Sequence, residues 1–122
     1  MGWFLDHVQL AIPAGEEERC DTFYVDLLGF HVLEKPPLLA ARGGRWYQRD
    51  EAVVHLGVDP HFAPATKAHP ALVVDDYDEL LERLRNSRVE IRPDESIPGR
   101  RRCHVDDPAG NRLELIDGAS PR

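Results

Sequence analysis

The chain has 122 residues, of which 42% are hydrophobic and 30% charged, and its formal net charge is −7. That length supports one domain with a modest core, and the balance is that of a folded globular protein and not of a disordered chain. An acidic surface repels a polyphosphate backbone, no apolar run approaches the roughly 20 residues of a membrane span, and no secretory leader is legible. The expectation is therefore a cytoplasmic protein without nucleic-acid or membrane partners.

In chain order, Phe4 to Ile12 read as a strand and Glu16 to Leu28 as a helix. In that helix Cys20, Phe23, Tyr24, Leu27 and Leu28 recur at three- and four-residue spacing. Gly29 stands where a left-handed C-terminal cap is needed, with Phe30 behind it to pack back. His31 to Glu34 follow as a short strand. Pro36, Pro37, Gly43 and Gly44 bracket a loop, and Arg45 to Arg49 and Ala52 to Val58 form a hairpin through Asp50-Glu51. Residues 59–67 carry two prolines and read as a linker.

The pattern then restarts. His69 to Val74 read as a strand, Asp75 as an N-cap, and a helix runs to about Asn86 with Tyr77, Leu80, Leu81 and Leu84 on one face. Val89 to Arg92 form a short strand, Ser96 to Gly99 a loop. Arg101 to Asp106 and Arg112 to Asp117 form a hairpin across Asp107-Pro108-Ala109-Gly110-Asn111, a run rich in turn formers. Strand, helix and three strands thus occur twice. The predicted fold is α+β: two βαβββ modules, residues 4–58 and 68–117, forming a curved mixed sheet in a single domain.

Side chains alternate faces along a strand. Val8, Leu10 and Ile12 oppose Leu5, His7, Gln9 and Ala11; Val54, Leu56 and Val58 oppose Val53, His55 and Gly57. Leu72 and Val74 oppose His69, Ala71 and Val73; Leu113 and Leu115 oppose Arg112, Glu114 and Ile116. Each strand offers one aliphatic face to a helix and one metal-capable side chain on the other. His7 and His69 stand in the first strand of each half, and His55 and Glu114 in the last. Three imidazoles and a carboxylate suit Zn²⁺, Ni²⁺, Mn²⁺ or Fe²⁺. Taken singly, each histidine also reads as a hydrogen-bonded structural residue and Glu114 as a surface carboxylate. His31 and His61 fit that plainer reading.

Four segments carry a resemblance: Asp6-His7-Val8-Gln9-Leu10-Ala11-Ile12, Phe23-Tyr24-Val25-Asp26-Leu27-Leu28-Gly29-Phe30, Ala68-His69-Pro70-Ala71-Leu72, and Asp106-Asp107-Pro108-Ala109-Gly110-Asn111-Arg112-Leu113-Glu114. With them the chain resembles the vicinal oxygen chelate superfamily, which includes glyoxalase I, bleomycin-resistance proteins, fosfomycin-resistance transferases, methylmalonyl-CoA epimerase and extradiol dioxygenases. The resemblance implies one divalent metal held by His7, His69 and Glu114, with His55 at a fourth position where glyoxalase I usually has Glu or Gln. It also implies a small oxygen-rich substrate bound through two oxygens, with isomerase, epimerase, lyase or dioxygenase chemistry. Pro98 stands where fosfomycin transferases have a loop Ser, so that activity is not implied. The alternative is a drug- or metabolite-sequestering protein that uses the same cup without chemistry; such members usually lack the metal ligands.

His104 lies where related enzymes often place a site-facing Tyr, and its ordinary pKa of about 6.5 suits proton transfer. His104 is the expected catalytic acid or base, with His55 the alternative if it leaves the metal. Trp46, Gln48 and Gln9 are expected to face the cup and touch substrate. Arg102, on the His104 face, is expected to pair with a substrate carboxylate or phosphate. Cys103 should point away from the cup, and Cys20 and Cys103 read as thiols of a reducing compartment. Exposed strand edges and the family resemblance both imply a homodimer.

Overall fold

A computed structural model describes residues 2–121 and divides the chain into two compact units, one ending at Pro64 and the other beginning at Ala65. The division falls inside the expected linker. Each unit is a βαβββ module with its own four-stranded mixed sheet.

The first unit contains β1 (Val8–Ile12), α1 (Glu17–Asp21), a π-helical segment (Thr22–Leu27), β2 (His31–Leu33), α2 (Pro37–Ala40), β3 (Arg45–Arg49) and β4 (Ala52–Val58). Its strand order is β1-β4-β3-β2, with β1 parallel to β4 and the other pairs antiparallel. The core consists of Ile12, Cys20, Phe23, Tyr24, Leu28, Phe30, Tyr47, Val54 and Leu56. The expected single α-helix widens after Asp21 into π geometry, with Leu28 N–H donating to the Phe23 carbonyl. A π-turn takes up one extra residue, and with it Phe23, Tyr24 and Leu28 are all buried. Asp21, at the junction, accepts hydrogen bonds from Tyr47 Oη (2.6 Å) and Arg45 Nε (3.1 Å). Gly29 adopts φ +77 and Phe30 N–H returns to the Tyr24 carbonyl, as the cap requires.

β1 is shorter than expected. Its register pairs Val8 with Val54, and β4 begins at Ala52, just after the Asp50-Glu51 turn. Residues before Asp6 therefore have no β4 residue to pair with, and Trp3, Phe4 and Leu5 stand exposed at 104, 84 and 82%. The loop at residues 36–44 contains a short helix, because Pro37 occupies a first-turn position where a missing N–H costs nothing.

The second unit contains β5 (Ala71–Val74), α3 (Tyr77–Asn86), β6 (Arg92–Pro93), β7 (Arg102–Asp106) and β8 (Arg112–Asp117). Its order is β5-β8-β7-β6, again with a parallel first-to-last pair. α3 packs on β8 and buries Tyr77, Leu80, Leu81 and Leu84; each full burial stabilises by about 1.5–3 kcal/mol. The helix N-cap is Asp76, one residue later than expected, and Asp76 pairs with Arg83 at 3.5 Å. β5 starts at Ala71 and not His69 because Pro70 has no N–H to give; its carbonyl still accepts from Glu114 N–H at 3.0 Å. β6 shrinks to two residues and starts three residues later than the expected Val89, after the helix exit at Arg88 (φ 63). The turn before β8 is closed by Asp107, whose Oδ1 accepts from Ala109 N–H (2.9 Å) and Asn111 N–H (2.8 Å). Among the described residues no helix is long and apolar enough to cross a membrane.

Candidate functional site

In the second unit, register places three side chains together. β8 lies between β5 and β7, so Glu114 has Ala71 on one side and His104 directly opposite on the other. His69, two residues ahead of Ala71, reaches over the same carboxylate. One donor atom each from His69, His104 and Glu114 lies within 4.8 Å of the others.

One hydrogen bond fixes the place of one ring proton. His69 Nδ1 is 2.7 Å from the Lys67 carbonyl, which can only accept. Nδ1 is therefore the protonated nitrogen, and in the neutral ring the lone pair is at Nε2. That Nε2 faces Glu114 Oε1 at 2.9 Å. Two acceptors face each other there unless a proton or a cation lies between them. His104 Nε2 lies 3.7 Å from the same Oε1, beyond hydrogen-bond length, and is buried without a partner among the described residues. Its Nδ1 is 3.9 Å from Asp94 Oδ2. The set matches a divalent cation: two imidazole nitrogens and one carboxylate oxygen converge, and one of the nitrogens is a buried orphan.

Burial lowers the His104 pKa below the usual imidazole value and outweighs the nearby carboxylates Glu114 and Asp94. Burial alone would push Glu114 up; His69, when a proton lies between its Nε2 and Oε1, and the hydrogen bond and charge of Arg102 bring it below the usual carboxylate value. A neutral imidazole beside an ionised carboxylate is the protonation state a metal needs.

Arg102 lies on the face predicted for it, but its guanidinium is engaged within the chain. Nη1 donates to Glu114 Oε2 at 3.0 Å, and Nη2 donates to Ser96 Oγ at 2.7 Å and pairs with Asp94 Oδ2 at 3.1 Å. Cys103 points to the opposite side, buried, where burial raises its thiol pKa. A cavity of about 780 Å³ in this unit lies on that α3 side, lined by Tyr77, Leu81, Ile97 and Cys103 among others. His69, His104 and Glu114 are absent from its lining, although Asp94 and Arg102 belong to it.

In the first unit His7, His55 and Trp46 form a stack. His55 on β4 lies opposite Gln9 on β1 and Trp46 on β3. The Trp46 and His55 rings are 4.3 Å apart and 8° from parallel, and His7 and His55 are 4.0 Å apart at 21°. His7 Nδ1 lies 2.8 Å from Asp6 Oδ2, which leaves Nε2 to offer a lone pair in the neutral ring. Burial, then the charge of His7, lowers the His55 pKa. Gly57 leaves room for the Gln9 amide: an added Cβ would stand 2.8 Å from Gln9 Nε2. Gln48 lies on the Trp46 strand face, but its amide donates to the Asp50 carbonyl at 3.0 Å.

The four residues expected to ligate thus fall as two pairs, His7 with His55 and His69 with Glu114, each within one unit. His104, assigned proton transfer from the sequence, stands among the metal-capable groups. Its place was legible in principle: a turn over Asp107–Asn111 pairs Asp106 with Arg112 and so His104 with Glu114. Asp94 and Ser96 were not anticipated.

The class is that of a two-module α+β protein whose second module gathers His69, His104 and Glu114 as a candidate metal site. The model of the Glyoxalase/Bleomycin resistance protein/Dioxygenase superfamily matches residues 5–115, and the chain belongs to that superfamily. Among solved structures it is similar to a protein from Bacillus anthracis described as a glyoxalase family protein, with 38% identity, 96% of each chain covered and a TM-score of 0.91. It resembles in fold the lactoylglutathione lyase from Agrobacterium tumefaciens, at 20% identity over 91% of this chain and 92% of that one, with a TM-score of 0.67. It also resembles in fold TnmS3, an antibiotic binding protein from Streptomyces sp. CB03234, at 24% identity over 95% and 98% of the chains and a TM-score of 0.67. No curated protein matches it significantly.

Proposed function

We propose that the protein is a metal-dependent enzyme of this superfamily, acting on a small oxygen-rich metabolite by isomerase, epimerase, lyase or dioxygenase chemistry. His69, His104 and Glu114 hold the divalent ion, which is Zn²⁺, Ni²⁺, Mn²⁺ or Fe²⁺. The observation that carries this reading is the buried His104 Nε2, unpartnered among the described residues and 3.7 Å from a carboxylate oxygen that His69 Nε2 approaches to 2.9 Å. Such an ion supplies Lewis acidity towards substrate oxygens. Glu114 contributes the single negative charge of the three, and the two rings contribute neutral nitrogens. Three protein donors leave coordination positions for substrate, which distinguishes a catalytic site from a closed structural one.

The test is metal titration of chelator-treated protein. One equivalent of at least one of the four ions should bind per chain, and Glu114→Ala should abolish binding. A substrate panel on the loaded protein then identifies the reaction. Wild-type protein that takes up none of the four ions overturns the enzyme reading and leaves a sequestering protein in its place.

A further inference from the structure

We propose that Arg102 is a positioning residue for the metal centre: it holds Glu114 by one carboxylate oxygen so that the other is presented to the ion, and Asp94 cancels its charge. The inference rests on the metal reading above. Glu114 is divided between two sets of partners. Oε2 accepts from Arg102 Nη1 at 3.0 Å, while Oε1 is the atom near His69 and His104. A carboxylate with one oxygen committed to a charge-assisted hydrogen bond from a fixed guanidinium is biased to present the other oxygen to the ion.

The arginine is itself fixed. Its side chain is 10% exposed, and Nη2 is tied to Ser96 Oγ and Asp94 Oδ2 at the start of the 94–100 loop. With Nη1 on Glu114 and Nη2 on Ser96 and Asp94, both terminal nitrogens are engaged within the chain. These contacts leave the guanidinium poorly suited to the substrate-anion role that its strand position alone suggests.

An uncompensated cation beside a metal ligand would oppose metal binding. Asp94, 3.1 Å from Nη2, offsets that charge. The Asp94–Arg102–Glu114 chain therefore keeps the orienting hydrogen bond while leaving the negative charge of Glu114 available to the ion. Groups that hold a ligating residue from behind typically contribute 10–100-fold to metal affinity.

Affinity for Co²⁺ and Zn²⁺ is measured by chelator competition in wild type, Arg102→Met, Arg102→Lys and Asp94→Asn, together with the visible spectrum of each Co²⁺ form and far-UV circular dichroism. Arg102→Met is expected to lose roughly 10–100-fold in affinity and to change the Co²⁺ spectrum, since Glu114 can then rotate. Arg102→Lys is expected to recover part of the affinity but not the wild-type spectrum, because one ammonium on a flexible stem cannot hold Glu114 from a plane fixed by Asp94 and Ser96. Asp94→Asn is expected to lose affinity while keeping the wild-type spectrum. If Arg102→Met folds and matches wild type in affinity and spectrum, or binds more tightly, the positioning role is overturned and the metal reading stands. If wild type itself binds neither ion, the metal reading has failed, and this inference with it.

Discussion

Replacing His104 by Leu should change stability in opposite directions with and without metal. In the metal-free protein His104 Nε2 is buried with no partner among the described residues, and a buried unsatisfied polar atom costs about 1–3 kcal/mol. Leu removes that atom and fills most of the ring's volume, so the metal-free variant should be more stable than wild type by about 1 kcal/mol. A cofactor that binds only the folded state stabilises by RT ln(1 + [L]/Kd), about 2.7 kcal/mol at a hundredfold excess over Kd. Wild type should therefore gain roughly 8–15 °C in Tm on metal addition, and the variant little or nothing. Thermal unfolding followed by circular dichroism, in chelator and with the bound metal at about a hundred times its Kd, gives all four midpoints. If His104→Leu destabilises the protein equally in both conditions, the ring is a structural residue with an ordinary hydrogen-bond partner, and its place among the ligands is refuted.

Further outcomes follow from other parts of the structure. Burial and the Asp21 hydrogen bond raise the Tyr47 pKa far above its ordinary 10.0, so its contribution to stability is fully present below pH 10 and lost as the pH rises above it. Tyr47→Phe should flatten the alkaline limb of a urea-unfolding series, and an unchanged slope would count against that role. Gly44 has φ +86, and a Cβ there would stand 2.1 Å from the Leu56 carbonyl oxygen. Gly44→Ala should cost roughly 2–4 kcal/mol in chemical denaturation, and a loss below about 1 kcal/mol would contradict the geometry. We expect a homodimer, because β1 and β5 are sheet edges and Trp3, Phe4 and Leu5 are exposed together. Sedimentation should give a dimer at micromolar concentration and a monomer when all three are changed to Ser; a monomeric wild type would refute this.

Much of this was legible in the sequence because strand and helix periods differ. The alternation of Val54, His55 and Leu56, or of Leu113, Glu114 and Leu115, placed each polar group on its strand without tertiary knowledge. Gly29 and the Asp107–Asn111 run marked two chain reversals by their backbone chemistry. What periodicity could not carry was pairing. The start of β1 depended on where β4 began, the start of β5 on the missing N–H of Pro70, and the π-segment on a single inserted residue within an otherwise helical stripe. The same limit applied to the site. Composition identified His104 and Arg102 as chemically capable, but their tasks follow from which atoms of Glu114 they face, and that depends on the β7–β8 register.

The parallel pairing of β5 with β8 also orders events as the chain folds. His104 and Glu114 meet when the Asp107–Asn111 turn closes, and hairpins of that kind form in about 1–10 μs. His69 arrives only when Ala71 aligns with Glu114, after α3, β6 and β7 have been laid down between them. Closing so long a stretch carries a larger entropic penalty and is intrinsically slower. If the proposed metal site forms, a refolding chain brings one imidazole and one carboxylate together before the third donor joins them. An ion captured at that stage would act as a template for the last strand pairing, and the speed of refolding would depend on free metal as well as on sequence.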